Sequence, residues 1–225
     1  MSKSQGLLYI LITTLLVGCA TYQPQFREGN GMDENALSRK RTLEKTFYLI
    51  GDAGGAKPDK PETALAALEK VLDTVSTQNN YTIFLGDNIY EKGLPDKKSP
   101  KRADAEYKLN TQLKVVKDFD GKVLFIPGNH DWYDSGLKGV KRQEEYIEKA
   151  LDDNDAFQPE NGCPIEKIDV TENITLLVID TQWYLSNWDK HPTINDECDI
   201  KTRNDFFLEI EGELKKNNEK TIIIA

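Results

Sequence analysis

Residues 123–131 read Val-Leu-Phe-Ile-Pro-Gly-Asn-His-Asp. The four apolar residues make a run too short for a helix, and the Pro-Gly that follows stops any continuation. The run is expected to be a buried strand that ends in a polar turn. The pattern recurs upstream, where Phe47 to Ile50 leads into Gly51-Asp52 and Thr82 to Leu85 leads into Gly86-Asp87. Ile174 to Ile179 and Thr221 to Ile224 are similar apolar runs. Amphipathic stretches separate them, with stripes at Leu65, Leu68, Leu72 and Val75, at Leu109, Leu113 and Val116, at Val140, Ile147 and Leu151, and at Phe207, Ile210 and Leu214. Pro61 stands where a helix can begin without losing a hydrogen bond. The alternation predicts an α/β domain with a largely parallel core sheet, and nothing repeats at a fixed period.

Ligands of open α/β sheets bind in the crevice beyond the carboxyl ends of the strands. Three strands ending in Gly-Asp or Gly-Asn would bring Asp52, Asp87 and Asn129 to that crevice together. One such pair is an ordinary turn, since Gly and Asp are common turn residues. Three of them, all with donors suited to metals, need another explanation.

The 225 residues carry a net charge of -9, with 38% hydrophobic and 30% charged residues, the composition of a globular chain. That balance excludes a broad electrostatic grip on nucleic acid, and no nucleic-acid partner is expected. Any anionic substrate must be held locally. Only His130 and His191 supply imidazole, and Cys19, Cys163 and Cys198 show no C-x-x-C spacing, so no structural zinc site is expected.

The amino-terminal residues MSKSQGLLYILITTLLVGC hold one Lys, then an uncharged run from Leu7 to Val17, then small residues before Cys19. A helix of that run spans about 16 Å, half a bilayer core, and so suits a signal peptide better than a membrane span. Leu16-Val17-Gly18-Cys19 resembles a bacterial lipobox. That resemblance implies cleavage after residue 18, acylation of Cys19, membrane attachment and a place in the bacterial cell envelope, with Ala20 favouring the outer membrane. Residues 19–45 are polar with scattered Pro and Gly and read as anchor and tether, leaving 46–225 as the folded domain. Export would also let Cys163 and Cys198 pair, and two buried free thiols remain the alternative.

From Lys45 onward the three turns resemble the calcineurin-like metallophosphoesterases, within the branch that includes the purple acid phosphatases. The motifs stand as Asp52-Ala53-Gly54, Gly86-Asp87-Asn88-Ile89-Tyr90 and Gly128-Asn129-His130-Asp131. The resemblance implies a layered sheet-and-helix sandwich and two metal ions that activate hydroxide to hydrolyse a phosphorylated small molecule, phosphomonoesters favoured. It implies that Asp52 binds the first metal, Asp87 bridges both and Asn129 serves the second. Gly54 fills the slot where many relatives carry His, and Tyr90 looks like the phenolate ligand of the purple branch. Iron is therefore expected at Tyr90, with iron, zinc or manganese at the second site. His130 resembles the imidazole that faces the substrate, with Asp131 to orient it. Asn88 is left unassigned. Trp132 and Tyr133, and the loops 90–96 and 180–184, are read as cleft lining or simple packing.

The family completes its site with a His after the next strand and a Gly-His-x-His after the one beyond, and neither occurs here. His191 stands in a polar loop and reads as a surface residue. The chain is therefore expected to be the amino-terminal part of a longer phosphoesterase, a further carboxyl-terminal domain being left open. The alternative is a non-catalytic envelope lipoprotein that uses the truncated fold as an interaction scaffold.

Overall fold

The computed structural model describes residues 43–59, 63–75, 79–186 and 196–225, and Glu44–Ala225 form one compact unit. The leader, Cys19, nearly all of the tether, Pro61 and His191 lie outside the described residues. Three strands, β1 (Phe47–Ile50), β2 (Tyr81–Phe84) and β3 (Lys122–Phe125), make a parallel sheet in the order β1-β2-β3. Phe47 lies opposite Tyr81, and Tyr81 opposite Lys122, so all three strands end level. That common register delivers the three polar turns to one edge.

A second sheet holds β4 (Ile165–Asp169), β5 (Ile174–Ile179) and β6 (Thr221–Ile224), with β4 antiparallel and β6 parallel to β5. Among the described residues the core is thus two sheets of three strands, one parallel and one mixed, in keeping with the layered sheet-and-helix sandwich that the resemblance implies. β4 escapes the sequence reading because Ile-Glu-Lys-Ile-Asp alternates apolar and charged residues and never makes an apolar run. Its charges are used locally, since Asp169 accepts from Lys167 at 2.5 Å and from Lys220 at 2.9 Å.

Successive side chains of a strand face opposite ways. Phe84 accordingly stacks on Phe125 at 4.1 Å between ring centres and joins the helical side of the core with Leu65, Leu109, Val140 and Ile147. Ile83 and Leu124, one residue earlier, meet Leu176 and Val178 of the second sheet. The first sheet thus has helices on one face and the second sheet on the other. Leu49 is an exception to the expectation of fully buried strands, with 57% of its surface exposed. β1 has a neighbour on one side only.

Helices α1 (Thr63–Leu72), α2 (Arg102–Val115), α3 (Asn129–Trp132), α4 (Leu137–Leu151), α5 (Thr181–Leu185) and α6 (Arg203–Lys216) connect the strands. α1 stops at Leu72, so Val75 does not extend its stripe. α6 is turned by one residue from its expected face: Phe206 is buried at 5% exposure and Phe207 is exposed at 55%. Phe206 packs on Trp183 and Tyr184, with ring centres 5.8 and 5.4 Å away, and this aromatic contact outweighs the Phe207-Ile210-Leu214 period. Cys163 and Cys198 form a disulfide across 35 residues, tying the entry to β4 to the approach to α6. A loop of that length is worth about 3–4 kcal/mol in the chain-entropy model.

Glu144 of α4 is buried and accepts the backbone N–H of Asn161 at 2.7 Å. Burial pushes its carboxyl up to about 7; the Asn161 bond opposes the rise and Glu160 adds to it. A raised folded-state pKa gives stability that is full below about 4.5 and is lost as pH climbs through about 7. Glu144→Gln keeps the accepted bond and removes the charge. It should raise the unfolding midpoint near pH 8 by roughly 2–6 °C, about 1–2 kcal/mol after allowance for partial exposure, and change little near pH 4. Thermal melts of both proteins across that range check this, and superimposable pH curves would refute it.

Candidate metal centre

Asp52 follows β1 and Asp87 follows β2, both with left-handed backbone at φ 57° and 53°. Asp is among the few residues that accept that conformation readily. The loops that carry them pack backbone against backbone. Gly54 donates to the carbonyl of Asp87 at 3.0 Å and accepts from Tyr90 N at 3.1 Å. A Cβ at Gly54 would lie 2.5 Å from the Asp87 oxygen, and one at Gly128 would lie 2.3 Å from the Asp87 nitrogen and Oδ1. Position 54 is therefore closed to any side chain in this packing, and the close approach of the first two loops depends on the glycine there.

The Tyr90 hydroxyl reaches Asp87 Oδ2 at 2.8 Å and also contacts Asp52 Oδ1. One phenolic proton cannot satisfy both carboxylates, so two acids and a phenol oxygen meet around a single hydrogen. Burial first, then the two hydrogen bonds and the two negative charges, push the phenol's pKa well above its ordinary value. Among the described residues neither Asp52 nor Asp87 pairs with a Lys or Arg. The second Asp87 oxygen accepts His130 N at 3.1 Å. Asn129 donates its amide N–H to the Tyr133 hydroxyl at 2.6 Å, which leaves the amide oxygen as its donor atom toward a cation.

This donor set fits hard cations, being two carboxylates, a phenol and an amide oxygen. A cation among them would replace the shared proton and reverse the pull on the Tyr90 pKa. Among the described residues no three His, Cys, Asp or Glu side chains gather, because the remaining donors here are Tyr and Asn. Asp52, Asp87 and Asn129 line a cavity of about 950 Å³ together with Tyr133, Thr181 and Gln182, and Leu49, Leu85 and Ile224 form its apolar wall.

His130 lies over the Tyr90 ring, with centres 4.5 Å apart, and its Nδ1 meets the carbonyl oxygen of Glu91 at 2.6 Å. A carbonyl can only accept, so Nδ1 carries the proton, and the neutral ring has its lone pair on Nε2. The expected orienting role of Asp131 is thus taken by a backbone oxygen that no side-chain pattern could reveal. Asp131 is instead wholly buried, and its carboxylate accepts from Gly128 N at 2.8 Å, Asn88 N at 3.2 Å and Ile89 N at 3.2 Å. Burial raises its pKa to about 6 against those N–H groups. It binds the turn after β2 to the turn after β3.

The other residues singled out in the sequence divide. Asn88 faces the interior, donating to the Ile126 carbonyl at 2.8 Å. Trp132 is core and donates to Asp180 at 2.8 Å, and Tyr133 lines the cavity. Within 180–184, Asp180 is buried and caps α5, and Thr181 and Gln182 reach the cavity. Lys108 and Gln112 of α2, which hold the second loop from below, were missed. Their only sequence signal is two polar residues four apart beside the apolar stripe of Leu109 and Leu113.

The calcineurin-like phosphoesterase family model matches residues 45–225, and the chain belongs to that family. Its members are hydrolases that generally bind two metal ions. No curated protein matches the chain.

Removing the Asp131 carboxylate strands three backbone N–H groups in the interior. Asp131→Ala should cost about 2–5 kcal/mol, and Asp131→Asn, which keeps one acceptor oxygen, clearly less. Urea unfolding measures both; a loss below about 0.5 kcal/mol for the alanine variant would show that the carboxylate does not hold the loops.

Proposed function

We propose that this chain carries the amino-terminal part of the hydrolytic centre of a phosphomonoesterase resembling the purple acid phosphatases and acting on phosphorylated small molecules. The meeting of the Tyr90 hydroxyl with Asp52 and Asp87 carries the reading. Asp52 and Tyr90 would hold the first cation, Asp87 would be shared and Asn129 would serve the second. A phenolate favours a hard trivalent ion, hence iron beside Tyr90, with iron, zinc or manganese at the other position. Bound there, the ions would supply the charge that draws a phosphoryl group to an acidic protein and lowers the pKa of water.

His130 acts in this scheme through Nε2. With Nδ1–H committed to Glu91, the protonated ring has one N–H left to donate to a phosphoryl or leaving-group oxygen. Asp131 acts by holding the loops and is not a proton carrier. Acylated Cys19 would tether the domain to the bacterial cell envelope, the outer membrane favoured, and the lipobox-like residues before it support this. Replacing Cys19 by Ser should abolish incorporation of labelled fatty acid, and undiminished labelling would remove the anchor.

The absence of any imidazole from the donor set of the described residues favours a second reading, an envelope scaffold that takes up metal without turnover. Iron loading, visible spectroscopy and hydrolysis of p-nitrophenyl phosphate separate the two. A phosphatase should show a phenolate-to-iron band that Tyr90→Phe abolishes, loss of both metals in Asp87→Ala, and a fall of about 100-fold or more in turnover for His130→Ala. A coloured protein with no turnover when the complete gene product is assayed supports the scaffold; a colourless, zinc-filled and active one overturns the iron assignment.

A further inference from the structure

The loop from Asn88 to Pro95 has no helix or strand of its own, so its carbonyls need partners from elsewhere. Helix α2 runs along it in the opposite direction and supplies three. Gln112 Nε2 donates to Asn88 O at 2.7 Å, Lys108 Nζ to Tyr90 O at 2.6 Å, and Arg102 to Pro95 O at 2.7 Å. The first two bonds fall at residues 88 and 90, inside the stretch 87–91 that carries Asp87, Tyr90 and the Glu91 carbonyl.

Packing alone does not account for these side chains. Lys108 is only 9% exposed, and lysine is rarely buried that far without a reason. Its carboxylate partner, Asp104 at 2.6 Å, is mostly in solvent and could be met at the surface. Gln112 is fully buried and its Oε1 has no hydrogen-bond partner, a cost that an apolar residue of the same size would avoid. Each residue makes its bond to this loop alongside a contact within α2, Lys108 with Asp104 at 2.6 Å and Gln112 with Lys108 O at 3.2 Å, and for Gln112 the loop bond is the shorter of the two.

We propose that Lys108 and Gln112 are positioning residues for the metal centre, which fix the Tyr90 phenol against Asp52 and Asp87 and hold the Glu91 carbonyl against His130 Nδ1. The claim rests on the phosphoesterase reading of this site. By pinning Tyr90 O, the ammonium sets the peptide plane that joins Tyr90 to Glu91, so one contact governs a metal donor and the orientation of the imidazole. Gln112 holds the preceding turn, next to Asp87. Groups that orient metal ligands in this way typically change metal affinity or activity by about 10–100-fold when removed.

The test uses the full chain with Lys108→Met, Gln112→Leu and, as a control at the far end of the loop, Arg102→Met. Two readouts apply: manganese and zinc affinity by competition with a chelating dye, and the ring ¹⁵N shifts of His130 in the metal-free protein, assigned with His130→Asn. Lys108→Met and Gln112→Leu should weaken metal binding about 10–100-fold, and Lys108→Met should convert His130 from one Nδ1–H form to a tautomer mixture. Lys108→Arg, which retains a donor, should recover most of both effects, and Arg102→Met should lower stability without moving either. Should Lys108→Met fail to fold, Lys108→Gln carries the same readouts. Affinities within about twofold of wild type and an unchanged His130 tautomer, with only the melting point lowered, would reduce both residues to loop packing and overturn the proposal. A wild-type chain that takes up no metal would instead count against Asp52, Asp87, Tyr90 and Asn129 as a sufficient donor set, and the ¹⁵N arm would still decide the positioning claim.

Discussion

The arrangement depends on one buried carboxylate. Asp131 collects the backbone N–H groups of Gly128, Asn88 and Ile89, and so locks the turn after β3 to the turn after β2 at hydrogen-bond distance. Gly128 can then lie against Asp87 with no room for a side chain between them, and Gly54 closes on the same residue from the first loop. Parallel strands bring three turns to one edge, but only to within a loop's length of each other. The carboxylate converts that neighbourhood into a fixed set of donors. Its own place is secured by α3, whose first turn it belongs to.

The site concentrates negative charge on purpose-built backbone and leaves it uncompensated. Asp52, Asp87 and the Tyr90 oxygen meet around one proton, and no ion pair among the described residues involves either carboxylate. Such a cluster is unfavourable for the bare protein and favourable once cations enter, which is why an acidic chain can belong to a family that binds phosphate. The imidazole beside it is held by a main-chain oxygen, so its tautomer does not depend on any neighbouring carboxylate changing its charge.

Much of this was legible in the sequence where a residue type and a position jointly carry meaning. Apolar runs stopped by Gly-Asp or Gly-Asn located β1, β2 and β3 within a residue and brought Asp52, Asp87 and Asn129 to one edge. The reading failed where the deciding contact lies outside the pattern. β4 hides its strand character behind charges that pair across its own edge. Phe206 wins over Phe207 because Trp183 and Tyr184 wait for it, which no period in α6 encodes. Asp131 stands next to His130 in sequence and invites a catalytic pairing, yet the first turn of α3 carries its side chain into the interior.

The parallel pairing of the first sheet also governs when the site comes into being. Asp52, Asp87 and Asn129 sit behind strands separated by whole helical crossovers, so no two of them are neighbours until a long loop has closed. Contacts of that range form slowly and late, after local helices such as α2 and α4. Asp87 and Tyr90, three residues apart, are the exception, and a cation that needs Asp52 or Asn129 as well must wait for the sheet. A cation held by all of these donors would bind the finished sheet and by mass action stabilise the fold that made it.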